Sequence, residues 1–201
     1  SLEDTLAEAS SMLSGLSAAA GLVLAPKSEG ALRHIEFVPL GPGRALVVLV
    51  HGGPHSVRDY WGFDPEVQLL AKSGYNVLQV NYRGSGGYGA DYEAAGYRQW
   101  GDAIQKDIIA GTEWAIAQGH GKAGNVCIMG GSFGGYSVVQ SATIKPDLYR
   151  CGVAVAGVYD LPMMKELGDV QRRDSGMAYL QKVLGDDKAQ LAAFSPVNRV
   201  D

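Results

Sequence analysis

A chain of 201 residues, 46% hydrophobic and 19% charged, is long enough for one domain with a buried core and has the composition of an ordinary globular protein. Its net charge of −4, with no local basic patch, removes the electrostatic case for nucleic acid as a partner. No apolar run approaches the roughly 18 residues of a membrane span, and Ser1–Leu16 lacks the basic and apolar stretches of a secretory signal; the reading is no membrane and a cytoplasmic setting. The first residue is Ser1 and not Met, as expected of a processed or excised chain.

Taken in chain order, Leu2, Leu6, Ala9, Met12, Leu13 and Leu16 recur at helical spacing ahead of Gly21. Gly21–Ala25 and Leu32–Leu40 read as short strands, and Gly41-Pro42-Gly43 as a turn. From Arg44 onward the rhythm becomes strand, Gly-rich loop, helix. Apolar runs at Ala45–Val50, Asn76–Val80, Asn125–Met129 and Cys151–Ala156 predict strands covered on both faces. Helical stretches are predicted at Pro65–Ser73, Ala103–Gln118, Phe133–Thr143 and Ser175–Leu184. Alternation of this kind implies right-handed crossovers and an α/β fold with a mostly parallel sheet. Cys127 and Cys151 sit in apolar strands without metal-ligand spacing, so they are expected to be reduced core residues and not a disulfide.

The strongest chemical signal runs from Asn125 to Tyr136, a strand followed by Gly130-Gly131-Ser132-Phe133-Gly134 and then a helix. This is G-x-S-x-G in the context of a nucleophile elbow. A sharp turn puts the serine in strained backbone angles, and side chains two positions either side would collide, which Gly130 and Gly134 avoid. Gly135 allows the helix close to the strand. His51-Gly52-Gly53-Pro54 follows another strand, where a glycine pair frees backbone N–H groups for a substrate oxygen. An oxyanion hole takes one donor from such a loop and one from the residue after the nucleophile, here Gly53 and Phe133. The loop Asn81–Gly89 has no Lys-Ser/Thr opening a helix and so is not a phosphate loop. Arg83 is expected in structural hydrogen bonds, and His51, Tyr82 and Tyr136 are candidates for the rim of the site.

These motifs, with the closing Ser195-Pro196-Val197-Asn198, resemble the catalytic domain of the prolyl oligopeptidase family, especially its acylaminoacyl-peptidase and dipeptidyl-peptidase-like branch. The resemblance covers about Leu46–Asp201. It implies a three-layer α/β-hydrolase-like fold, incomplete at its C-terminal end, and a serine peptidase acting on short peptides without metal or organic cofactor. By the same resemblance Ser132 is the nucleophile, with Gly53 and Phe133 as oxyanion donors.

Acyl transfer also needs a base for the serine proton and an acid to orient that base, in the chain order Ser, Asp or Glu, His. All four histidines, His34, His51, His55 and His120, precede Ser132. Asp160 is a conceivable acid, but the family's Asp and His would lie past Asp201, so this chain is expected to be inactive. The Cys151–Ala156 strand would then be an open sheet edge that invites a homodimer.

Residues 2–50 do not resemble the peptidase family. Leu13–Leu16, Ala20–Lys27, Arg33–Leu40 and Gly43–Val50 resemble the start of the sensor-like central domain of the bacterial heat-inducible transcription repressor, not its DNA-binding winged helix. The expected organisation is a repressor-like appendage over residues 1–44 and a partial peptidase domain over 45–201, joined as a chimera at the shared strand. A noncatalytic chimeric or fusion chain, or a regulatory fragment related to the repressor, is the alternative function.

Overall fold

The computed structural model describes residues 45–199. The predicted N-terminal helix, the strands Gly21–Ala25 and Leu32–Leu40, the turn at Gly41–Gly43 and His34 lie outside the described residues. The elements are β1 (Leu46–Val50), α1 (Pro65–Lys72), β2 (Asn76–Gln79), α2 (Ala90–Ala94), α3 (Ala103–Ala117), β3 (Val126–Gly131), α4 (Phe133–Ile144), β4 (Cys151–Val155), α5 (Asp174–Leu184) and α6 (Lys188–Ala193). Short 3-10 turns lie at Pro162–Lys165, Val170–Arg172 and Pro196–Arg199.

Each predicted strand and helix within these residues forms, with ends moved by at most two residues. Local chemistry explains the clean boundaries. The Asp64 side chain accepts from the N–H groups of Glu66 and Val67 at 2.9 Å, Pro65 opens α1 and Lys72 sits in its last turn, matching helix capping and the helix dipole. The helices α2 and α6 are five and six residues long and show no apolar periodicity, which is why the sequence does not announce them.

The four strands form one parallel sheet in the order β2-β1-β3-β4. The fold is α/β-hydrolase-like. Its core is Leu46, Val48, Val50, Ile104, Ile108, Val126 and Ile128, with Trp100, Phe133 and Tyr136 toward the site. The helix α4 packs on β1, β3 and β4 and meets α3. That contact carries a buried polar seam. Gln105 Nε2 donates to Ser137 Oγ at 3.0 Å and to the Trp100 carbonyl at 2.7 Å, while Ser141 Oγ donates to Gln105 Oε1 at 2.9 Å. Satisfied polar groups of this kind fix one relative placement of two helices.

Two expectations need correction. Only β1 is covered along its whole length; β2 is half-buried, and all five residues of β4 are exposed, with Val153 at 47% and Val155 at 54%. A strand's burial depends on its place in the sheet, and β4 lies at the edge. The cysteines are also not reduced: Cys127 and Cys151 are disulfide-bonded, with Cα atoms 4.6 Å apart. They are direct register partners on β3 and β4, a juxtaposition hidden by their sequence separation of 24.

Candidate active site

The chain leaves β1 for β2 on one side and returns across β1 to β3 on the other. The strand order therefore reverses between β1 and β3, and loops leaving the carboxyl ends of these two strands diverge to open a crevice. The loop beginning at His51 leaves β1 there, and the turn at Ser132 leaves β3 beside it, since Val50 is the register partner of Gly130.

Ser132 is the N-cap of α4, with φ 55° and ψ −120°, and it is exposed. A positive φ in a residue with a side chain is strained and persists only when its surroundings impose it. Here the Ser132 N–H donates to the Val155 carbonyl at 2.9 Å, and its own carbonyl accepts from Tyr136 N–H at 3.0 Å, while the hydroxyl makes no capping hydrogen bond. Two glycines allow the turn. A Cβ on Gly130 would lie 2.7 Å from the Val50 carbonyl oxygen, and one on Gly134 would overlap that same oxygen. Gly135 serves close packing in turn: its Cβ would be 2.8 Å from the Val155 oxygen at the end of β4.

The His51–Pro54 loop lies against this elbow. A Cβ on Gly52 would be 3.6 Å from the Ser132 Cβ, and Gly53, at φ 114°, lines the same cleft as Ser132 and Phe133. The N–H of Phe133 belongs to the first turn of α4, where no intrahelical acceptor exists. An open cleft of about 790 Å³ spreads from Ser132 over Trp100, Tyr159, Met163, Met164 and Leu167, and its wall is mainly apolar.

The three rim candidates stand differently. Tyr82 and Tyr136 are fully buried. The Tyr82 hydroxyl donates to the His51 carbonyl at 2.8 Å, and that of Tyr136 to the Phe194 carbonyl at 2.8 Å. Burial raises the pKa of both phenols. His51 stacks on Tyr82 with ring centroids 4.3 Å apart, and both its nitrogens are engaged, Nδ1 with the Gly52 carbonyl at 2.7 Å and Nε2 with Ser85 Oγ at 2.9 Å. Burial holds its pKa below the usual imidazole value, against the raising influence of the Gly52 carbonyl. His51 and Tyr82 brace the loop from beneath, while Tyr136 packs against Trp100 and Phe133 with its hydroxyl on Phe194; all three are buried and so do not form a rim. Arg83 is pinned, as expected, by a fork of hydrogen bonds to Asp107 at 2.7 and 2.6 Å.

His120 lies before β3, its carbonyl held by Asn76 Nδ2 at 2.6 Å, so it is at the end of the sheet opposite Ser132. His55 is buried and accepts the Trp100 indole N–H through Nε2 at 3.1 Å. Asp160 lines the cleft, with Oδ1 on the Met163 N–H at 3.3 Å. Among the described residues no group of three or more His, Cys, Asp or Glu side chains is placed to hold a metal ion. The cleft wall from Trp100, Tyr159 and the methionines escaped sequence reasoning, because no motif marks residues that converge from separate loops.

A parallel sheet with a strained, exposed serine between β3 and α4 defines the α/β-hydrolase class. The model of the prolyl oligopeptidase family matches residues 61–201, and the chain belongs to that family. It is 45% identical over 162 residues to dipeptidyl aminopeptidase BIII of Pseudoxanthomonas mexicana, a match covering 78% of this chain and 23% of that protein. An acylaminoacyl peptidase solved with Z-Gly-Gly-Phe-chloromethyl ketone superposes with a TM-score of 0.71 at 28% identity, over 79% of this chain and 25% of that one. The chain thus spans about a quarter of the peptidase relatives it matches. Residues 3–56 match a second model, the HrcA protein C terminal domain, where the sequence had suggested the start of a central domain. Heat-inducible transcription repressor HrcA of Gluconobacter oxydans is 74% identical over 50 residues, 25% of this chain and 14% of that protein. The central strand β1 falls within the repressor model's match and ahead of the peptidase family model's match, whereas the matches to the peptidase relatives, at 78–79% of the chain, extend ahead of residue 61.

Proposed function

We propose that the chain carries the nucleophile half of a serine peptidase site for short peptides. Ser132 Oγ attacks the peptide carbonyl carbon, the carbonyl oxygen takes up the electron pair, and the N–H groups of Gly53 and Phe133 receive the resulting oxyanion. The Oγ proton passes to a base, which later returns it to the leaving amine. The observation that carries this reading is the positive-φ, exposed Ser132 beside the Gly52–Gly53 turn. An apolar wall of Trp100, Tyr159 and Met164 favours a substrate with an apolar side chain next to the scissile bond.

Among the described residues no histidine stands as that base: His51 and His55 are buried and engaged, and His120 is at the far end of the sheet. The 201-residue polypeptide by itself should therefore not turn over blocked peptide anilides above background. Turnover abolished by Ser132→Ala would overturn that point.

The same proposal takes residues 1–44 as an appended unit and 45–201 as the peptidase unit, without metal, cofactor or nucleic acid. It includes a homodimer through the β4 edge. A cytoplasmic setting belongs to it too. The repressor match favours a second reading, a regulatory or noncatalytic fusion chain. A mobility shift with repressor operator DNA would support it.

A further inference from the structure

His55 is more enclosed than a loop histidine needs to be. It is 6% exposed, its ring lies 4.9 Å from Tyr97 at a steep angle, and Tyr179 stands 6.4 Å away on α5. Its Nε2 is 3.1 Å from the indole nitrogen of Trp100. An indole N–H only donates, so Nε2 must be bare and the imidazole proton must sit on Nδ1. That nitrogen faces Gly84, where an added Cβ would be 3.0 Å away; the Gly84 backbone is its polar neighbour but lies outside good hydrogen-bonding geometry. Trp100 is itself 3% exposed, and its ring meets Phe133 edge to face at 4.9 Å. Gln105 holds the Trp100 backbone carbonyl, Phe133 and Tyr136 pack against its ring, and His55 accepts its indole N–H.

We propose that His55 is a positioning residue for the cleft: as a neutral imidazole it holds Trp100, and through Trp100 the Phe133 end of the elbow, and protonation of His55 releases that wall. This rests on the reading of the cleft as a peptide site. A second proton on Nε2 would set two N–H groups against each other at 3.1 Å with no acceptor between them, so the charged ring and the present Trp100 rotamer exclude one another. The groups facing His55 are Glu93 on α2, Tyr97 beyond it, and Tyr179 and Lys182 on α5. Burial lowers the His55 pKa to about 4, opposed by Glu93 and the Gly84 backbone and assisted by Lys182. The wall is therefore held at neutral pH and released only in acid.

The test follows the Trp100 indole N–H by proton–nitrogen NMR, assigned with Trp100→Phe, from pH 7 downward. Trp61 and Trp114 are exposed and serve as internal references. Binding of benzyloxycarbonyl-Gly-Gly-Phe-amide is measured on the same samples. We expect the Trp100 signal to be protected from exchange at pH 7, lost in acid and in His55→Leu, and retained at both pH values in His55→Gln, whose side-chain oxygen is an acceptor that does not titrate. With release set by a group titrating near pH 4, probe affinity should weaken about twofold at pH 4 and about fourfold at pH 3.5. His55→Leu should weaken it about tenfold at pH 7, and His55→Gln should keep the wild-type pH 7 affinity down to acid pH. A Trp100 signal indifferent to acid and to His55→Leu would overturn the proposal. So would probe affinity that stays constant while the signal changes. If the signal follows His55 but the probe binds no variant, the link from His55 to Trp100 is supported and the peptide reading of the cleft falls.

Discussion

The centre and the edge of the sheet are built from similar residues and end in different environments. β1 reads Leu-Val-Val-Leu-Val and is buried from end to end; β4 reads Cys-Gly-Val-Ala-Val and is exposed from end to end. Composition makes both strands, but neighbours decide burial. The elbow grows from the central pair β1 and β3, where each strand has a partner on both sides. Its geometry is over-determined there: a Cβ on either Gly130 or Gly134 would collide with the Val50 carbonyl oxygen, so the end of β1 sets the course of the turn at Ser132. The edge strand is held on one side only, by its pairing with β3, the Cys127–Cys151 link, the face of α4 and the hydrogen bond from Ser132 N–H to the Val155 carbonyl.

The sharpest way to break the comparison is at the centre. Gly134→Ala would drive a methyl group into the Val50 carbonyl. Because both partners are backbone, we expect a loss of about 3 kcal/mol or more in urea unfolding. Next, truncations to alanine should separate the two regions. Ile128→Ala empties a fully buried position and should cost about 3 kcal/mol, whereas Val153→Ala on β4, 47% exposed, should stay within about 0.5 kcal/mol. Similar costs at both positions would mean that β4 is covered in solution. The smallest change in stability is expected for Val155→Lys, which places a charge on the open edge. It should leave unfolding within about 0.5 kcal/mol of wild type, yet convert a dimer to monomers in sedimentation velocity. A wild-type monomer would remove the edge-pairing proposal.

Much of the centre was legible because local chemistry and fold agree there. Short β-branched runs made the strands, Asp64-Pro65 opened α1, and G-x-S-x-G between a strand and a helix has few other uses. What stayed hidden depends on which residues the sheet brings side by side. Cys127 and Cys151 meet only through the β3–β4 register. Tyr82 and Tyr136 carry hydroxyls that suit a site, yet nothing in the sequence shows that backbone carbonyls of His51 and Phe194 already occupy them. Trp100, ahead of α3, meets the cleft through contacts from separate elements, with Gln105 on its carbonyl, His55 on its indole N–H, and Phe133 and Tyr136 against its ring.

An intact elbow with no base among the described residues predicts a distinct response of Ser132 to a fluorophosphonate probe. The 201-residue polypeptide alone should label only slowly; added imidazole, as an external base, should speed labelling at Ser132 and give none there in Ser132→Ala. Rapid, stoichiometric labelling of Ser132 without imidazole would contradict the missing base, and imidazole-dependent labelling at serines other than Ser132 would contradict the elbow.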